Sequence, residues 1–271
     1  MQATSHTGVG GFDRQLISEA LDSALSLPGP VPVFAISGLQ GSGKSTFAAQ
    51  LAALGQARGL RVAVLSIDDF YLSVAERERL AADVHPLLRT RGPPGTHDLG
   101  LALSTLDGLR DGGRVALPRF DKLADERAAP DRWPTMHGCD LVVLEGWFLK
   151  TPAQAPAELA APLNALERDE DRDGRWRWWC NEALDRDYPP LWRRIDALWL
   201  LQAPGFGVVP KWRWEQEQAL LASGGAHGGM DRDGVARFVQ LFERVSRQAL
   251  ETLPAIAERT VPLDAARRPA G

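Results

Sequence analysis

Residues 38–45 read GLQGSGKS, a full match to the pattern G-x-x-x-x-G-K-[ST]. In such a loop the glycines let the backbone curl, so that successive N–H groups point at phosphate oxygens. Lys44 brings a point charge to the β and γ phosphates, and the Ser45 hydroxyl is a ligand for Mg²⁺. Gly38, Gly41, Ser42, Gly43, Lys44, Ser45 and Thr46 are therefore the candidate nucleotide contacts. An apolar run, Val31 to Ser37, precedes the loop, and helical spacing through Phe47, Leu51 and Leu54 follows it. That context aims the positive end of a helix dipole at the same phosphates. A nucleoside triphosphate is the ligand this combination fits.

A phosphate loop does not by itself choose a reaction; the carboxylates narrow it. Asp68 and Asp69 end the second apolar run, SIDDFY, and strand ends in a parallel sheet face the ligand crevice. Phosphoryl transfer to an alcohol needs a carboxylate to orient the hydroxyl and take its proton, with Mg²⁺ to neutralise developing charge. The competing use of an aspartate there is a helix cap. Glu145 closes a third run, DLVVLEG, where an acid is costly to bury unless it meets a cation, and it reads as a Mg²⁺ partner acting through water.

Cations gather in the loops. Arg89, Arg91, His97 and Asp98 surround RGPPGTHDL, LPRFDK supplies Arg119, Asp121 and Lys122, and Asp131-Arg132 follows. A guanidinium grips a carboxylate bidentately, so the cluster suits a small anionic acceptor, although each member alone is also an ordinary surface ion pair. Lys211 and Arg213 of KWR follow the fourth apolar run and a Gly/Pro loop, in the position of a lid over the phosphates. The alternative is a solvated helix face continuing through Glu215 and Glu217. GGAHGG at 224–229 reads as a hinge, the tryptophans (Trp176, Trp178 and Trp179 among them) as core, and His6, His85 and His137 receive no role.

The elements that must position these groups follow from periodicity. Phe12 to Leu25 repeats at three and four residues, an amphipathic helix within an N-terminal segment 1–30 that Pro28-Gly29-Pro30 closes. Apolar runs at Val31–Ser37, Arg61–Ile67, Asp140–Leu144 and Ile195–Leu201 read as buried strands. The segment 234–254 carries Val235, Phe238, Val239, Phe242, Val245, Ala249, Leu250 and Leu253 at helical spacing. Strands separated by helices predict a mainly parallel sheet covered on both faces, a three-layer α/β/α arrangement in a single domain over 1–271. Three irregular stretches, 84–100, 118–138 and 202–233, are expected as loops, the last one lid-like. The charge run ERDEDRDGR at 167–175, with the Ala/Pro stretch before it, is expected to be a solvated excursion.

Composition excludes several classes. The 271 residues are 44% hydrophobic and 24% charged, too apolar for intrinsic disorder. With 31 basic against 35 acidic residues the formal charge is −4, and no basic stripe marks a nucleic-acid binder. Cys139 and Cys180, far apart in sequence, make neither a disulfide framework nor a zinc site. The start lacks the basic and apolar regions of a secretory signal, and no window reaches the about 18 apolar residues of a membrane span. A cytoplasmic protein without membrane association is the expectation. The base-reading Asn-Lys-x-Asp segment of GTPases is absent, as are the partner-binding signatures of motor and transporter ATPases.

Taken in order, ISGLQGSGKST, SIDDFY, RGPPGTHDL, LPRFDK, LVVLEGWFL, KWRWEQE and GMDRDGVARFV resemble the P-loop D-glycerate 3-kinases of the plant and fungal type, over about residues 31–245. That group belongs to a wider set with uridine kinase, phosphoribulokinase and pantothenate kinase. The resemblance implies a P-loop NTPase fold and ATP-dependent phosphorylation of D-glycerate to 3-phosphoglycerate. It implies Asp68 as catalytic base acting beside Lys44 on the phosphates, Ser45 and Glu145 at Mg²⁺, and Lys211 and Arg213 as the nucleotide lid. Asp69, Tyr71, His97, Asp98, Arg119 and Lys122 fall where the wider set meets its acceptor. Asn181, Leu184 and Tyr188 resemble an N-x-x-L-x-x-Y block of the same group, while the stretch 152–180 is longer and more charged than the group's pattern. The rival expectations are a related kinase acting on a nucleoside, a pantothenate-like acid or a sugar phosphate, and a nucleotide-binding regulator without transfer activity.

Overall fold

The computed structural model describes residues 11–222 and 230–270. Helix α1 (Arg14–Leu25) leads into β1 (Val33–Gly38), the phosphate loop, α2 (Lys44–Ala57) and β2 (Val62–Ser66). Then come α3 (Val74–Asp83), α4 (Leu99–Arg110) and four short strands, β3 (Arg114–Ala116), β4 (Phe120–Asp121), β5 (Glu126–Arg127) and β6 (Thr135–His137). The chain continues through β7 (Leu141–Gly146), α5 (Ala165–Glu170), α6 (Arg175–Arg186), α7 (Pro189–Trp192) and β8 (Ala197–Gln202). It finishes with α8 (Val209–Ala222), α9 (Arg232–Thr252) and β9 (Arg259–Pro262).

Five strands form one parallel sheet in the order β2-β7-β1-β8-β9. Strand alternation sorts the side chains into two cores. Phe34, Ile36, Val143 and Trp199 meet α1 and α2 through Leu21, Phe47 and Leu51. Val33, Ala35, Leu65, Val142, Leu144 and Leu198 face the opposite layer, with Leu106, Leu184 and Phe242. The three-layer α/β/α reading therefore holds. Because the chain leaves β1 for β2 on one side and reaches β8 on the other, β1 sits at the switch point, where parallel sheets open a crevice at the carboxyl ends of their strands.

Four expectations need correction. The 118–138 stretch is not irregular: β3 pairs with β6 and β4 with β5 as antiparallel ribbons. The 202–233 stretch is not a loop over its first part, since residues 206–208 form a short 3₁₀ turn and α8 runs on to Ala222; the GGAHGG hinge lies outside the described residues, as does His6. The 167–175 charge run is solvated only in part: Arg168, Asp169, Glu170, Arg172, Asp173 and Arg175 are exposed, but two carboxylates are not. Glu167 and Asp171 are fully buried: Glu167 pairs with Arg244 at 2.6 Å, and Asp171 accepts from the Trp176 and Arg177 amides at the start of α6. Each buried charge has a partner, which is what makes burial tolerable. Strand β9 escaped notice because only Val261 of its four residues is buried, as befits an edge. Trp178, 36% exposed, also departs from the core role, whereas Trp176 and Trp212 keep it.

Candidate active site

The phosphate loop closes over the amino end of α2. Gly41 has φ +81° and Gly43 φ +93°, backbone that side-chain-bearing residues resist, and Gly43 stands at the N-cap with no side chain accepting there. The first amides of α2 are thus left for an anion. A Cβ on Gly41 would lie 2.7 Å from Cβ of Trp212, so α8 packs directly on the loop. Lys44 is buried and donates to the Leu39 carbonyl at 3.1 Å. Burial lowers its pKa, with the charges of Glu145 and Asp68 acting in the other direction. The Ser42 hydroxyl and both ends of the Gln40 amide are buried and have no hydrogen-bond partner among the described residues.

Glu145 reaches this loop from β7, where register places it between Ile36 of β1 and Ser66 of β2. The Ser45 hydroxyl donates to Glu145 Oε1 at 2.9 Å. Two hard oxygen donors side by side, next to amides suited to phosphate, form the donor set that Mg²⁺ takes. The orphaned polar atoms of Gln40 and Ser42 and the uncapped helix fit a polyphosphate by the same logic.

Beyond β2 the chain turns through a 3₁₀ segment, Ile67–Phe70, and there the two aspartates part company. Asp69 turns inward: it accepts from the Ser66 amide at 3.2 Å, the Phe120 amide at 3.3 Å and Arg119 at 3.3 Å, tying the strand end to the β4 hairpin. Burial raises its pKa. Asp68 turns to the crevice, where Lys122 donates to Oδ2 at 2.6 Å and the Tyr71 hydroxyl to Oδ1 at 2.6 Å. Burial works to raise the Asp68 carboxyl, but the Lys122 ammonium and these hydrogen bonds outweigh it and hold it down to about 2. In return the Asp68 charge raises the Lys122 pKa.

Residues 33–151 match the family described as Phosphoribulokinase / Uridine kinase family. Over 220 residues, 78% of this chain and 78% of the relative, the sequence is 32% identical to Uncharacterized kinase mug58 of Schizosaccharomyces pombe. The chain belongs to the phosphoribulokinase/uridine kinase family. This kinase is also 30% identical over 239 residues to the chloroplastic D-glycerate 3-kinase of Arabidopsis thaliana, covering 83% of the chain and 49% of that protein. It spans about half the length of the plant relative. Among solved structures, a D-glycerate 3-kinase from Cryptococcus neoformans var. grubii aligns with TM-score 0.77 and 26% identity, covering 97% and 99% of the two chains. The YGR205w protein, with TM-score 0.72 and 24% identity over 95% and 93%, shares the fold.

The remaining residues singled out in the sequence of this kinase take varied positions. His97 is buried beside Tyr71, ring centroids 4.9 Å apart. Asp98 accepts from the Leu101 amide at 2.9 Å as the cap of α4 and pairs with Arg127 at 3.1 Å. Arg119 spends its guanidinium on Asp69 and the carbonyls of Pro118 and Val64. Arg91 pairs with Asp125 and covers the Phe120 ring. On α8, Arg213 pairs with Glu217, lies over Phe238 and feels the charges of Arg91 and Asp68. Lys211 is 72% exposed, and its ion pair among the described residues is with Glu215 at 3.9 Å. Lys211 therefore lies on a solvated helix face beside Glu215. Thr46 is half-buried on the first turn of α2. Sequence reasoning gave Tyr188 no task, yet its hydroxyl meets His97 at 2.6 Å; the likeness of Asn181, Leu184 and Tyr188 to an N-x-x-L-x-x-Y block, here with one more residue before the tyrosine, was the available signal.

Proposed function

We propose that this chain, as one kinase domain, transfers the γ-phosphoryl group of ATP to a hydroxyl of D-glycerate, giving 3-phosphoglycerate. The observation that carries the reading is the Asp68 carboxylate, presented at the end of β2 next to the phosphate loop and bonded to a half-exposed lysine. Lys44 and the loop amides hold the phosphates. Ser45 and Glu145 hold Mg²⁺, which when bound neutralises charge developing on the phosphate oxygens. Asp68 orients the acceptor hydroxyl and takes its proton as the oxygen bonds to phosphorus and the bond to the β-phosphate oxygen breaks.

A carboxylate near 2 is a weak proton acceptor at neutral pH. Lys122 sits in the β4–β5 turn with its side chain 59% exposed, and an anionic acceptor competes with Asp68 for its ammonium. As Lys122 turns to the acceptor carboxylate, Asp68 loses the charge that depresses it and becomes the stronger base. The names of the plant and fungal relatives support glycerate. A nucleoside acceptor is disfavoured because Phe120 is buried against Tyr71 and the Trp133 indole donates to the Ala128 carbonyl, which engages the aromatics of the acceptor-side loops. We place the enzyme in the cytoplasm, a reading that free Cys139 and Cys180 support; no described helix is long and apolar enough to cross a membrane.

The test is ADP release with Mg-ATP against D-glycerate, L-glycerate, uridine, pantothenate and ribulose 5-phosphate, with phosphorus NMR of the product. Turnover with D-glycerate and a 3-phosphate product is expected. Turnover with a different acceptor overturns the substrate, and ATP binding without acceptor-dependent ADP release overturns the transfer.

A further inference from the structure

We infer that Tyr188 is a positioning residue that fixes His97 as its Nε2–H tautomer, and that this N–H donates to an oxygen of the anionic acceptor. The second half rests on the kinase reading above; the first rests on the hydrogen bonds and the burial of the pair.

The Gly95 amide donates to the Tyr188 hydroxyl at 2.9 Å, and that hydroxyl lies 2.6 Å from His97 Nδ1. With a donor already on its oxygen, the phenol satisfies its own proton by giving it to Nδ1. Burial raises the Tyr188 pKa, so the phenol keeps a proton to give. Burial also lowers the His97 pKa to about 4, leaving a neutral imidazole with one proton at pH 7. If Nδ1 accepts, that proton is on Nε2. His97 Nε2 is buried and has no partner among the described residues, an arrangement that is unfavourable until an acceptor is met.

The surroundings say which acceptor. The backbone around His97 is pinned to the strand of Tyr71 by the bonds Leu72 N–H to Thr96 O at 2.9 Å and Asp98 N–H to Phe70 O at 2.7 Å. The ring lies on Tyr71, whose hydroxyl holds Asp68, and the Asp68 charge acts on His97. The orphaned donor thus belongs to the acceptor side of the crevice. A neutral N–H there recognises an anion's oxygen without adding a second cation beside Lys122. The block of Asn181, Leu184 and Tyr188 gains a purpose as well. Asn181 clamps the Gln154 backbone at 2.8 and 3.1 Å, Leu184 is buried in the core, and Tyr188 delivers the hydroxyl.

The experiment joins ring ¹⁵N–¹H spectra of His97 with steady-state kinetics. Wild-type enzyme should show the Nε2–H tautomer alone. Tyr188→Phe should lose that purity, with the acceptor KM raised roughly 10- to 100-fold, the scale of a hydrogen bond to a charged group, and the ATP KM unmoved. His97→Gln, whose amide nitrogen reaches the Nε2 position, should lose less than His97→Asn, whose nitrogen reaches only Nδ1; this pair decides the matter if Tyr188→Phe does not fold. An Nδ1–H wild-type ring, a Tyr188→Phe enzyme with altered tautomer but wild-type KM, or Gln and Asn variants of equal effect would overturn the inference. If wild-type enzyme ignores D-glycerate but uses another acid, the substrate reading alone fails, and the same variants are measured with that acid.

Discussion

Lys122 Nζ lies 2.6 Å from Asp68 Oδ2, a hairpin-borne ammonium clamped on the carboxylate that faces the phosphate loop. Removing that charge in Lys122→Met should raise the Asp68 pKa from about 2 toward the ordinary carboxylate range, because burial is then opposed chiefly by the Tyr71 hydrogen bond. The acid limb of kcat/KM should move upward by at least about one pH unit, and the acceptor KM should rise roughly tenfold or more. A pH–rate profile of the variant reads both.

Glu145 accepts from Ser45, so its charge faces the position where Mg²⁺ meets the phosphates. Glu145→Gln keeps the shape and removes the charge. The Mg²⁺ concentration for half-maximal turnover should rise by about 10- to 100-fold, the usual cost of losing a metal-orienting carboxylate. Nucleotide binding measured calorimetrically in EDTA should stay close to wild type.

The pH dependence of stability carries a signature of His97. Its folded-state pKa, about 4, lies below the ordinary 6.5, so between these values the unfolded chain binds the proton and the folded one does not. Stability from this group is present above about pH 6.5 and is lost as pH falls toward 4. The loss between pH 7 and 5 should be about 2 kcal/mol. Urea unfolding at both pH values should show the loss in wild type and a smaller one in His97→Gln.

Glu167 and Arg244 form a buried pair at 2.6 Å that joins α5 to α9. Glu167→Gln strands the guanidinium without its anion and should cost about 3–5 kcal/mol, read by urea unfolding. Since the pair includes none of the phosphate-loop or acceptor-side residues, kcat per folded molecule should hold.

Much of this was legible in the sequence because it rests on local rules. The phosphate loop is a contiguous motif, and strands β1, β2, β7 and β8 are apolar runs whose ends deliver Gly38, Asp68 and Glu145 to one edge of the sheet. What was illegible depends on pairing at a distance. Locally only the Ser66-x-x-Asp69 capping spacing separates Asp69 from Asp68; the rest of the inward turn of Asp69 follows from Arg119 and the Phe120 amide fifty residues on. Glu167 and Asp171 in the charge run at 167–175 look as solvated as their neighbours until Arg244 and Arg177 arrive from α9 and α6. Lys211 and Arg213 are two residues apart on one helix, and helical rotation sends them to different surroundings. Tyr188 matters through a contact ninety-one residues back, with His97.

Asp68→Asn replaces the candidate proton acceptor by an amide of the same shape. Turnover with Mg-ATP and D-glycerate should fall by about 10² or more, the scale of losing a general base, while the Kd for ATP stays within about a factor of three. A variant that binds ATP normally and turns over at the wild-type rate would contradict the assignment of Asp68.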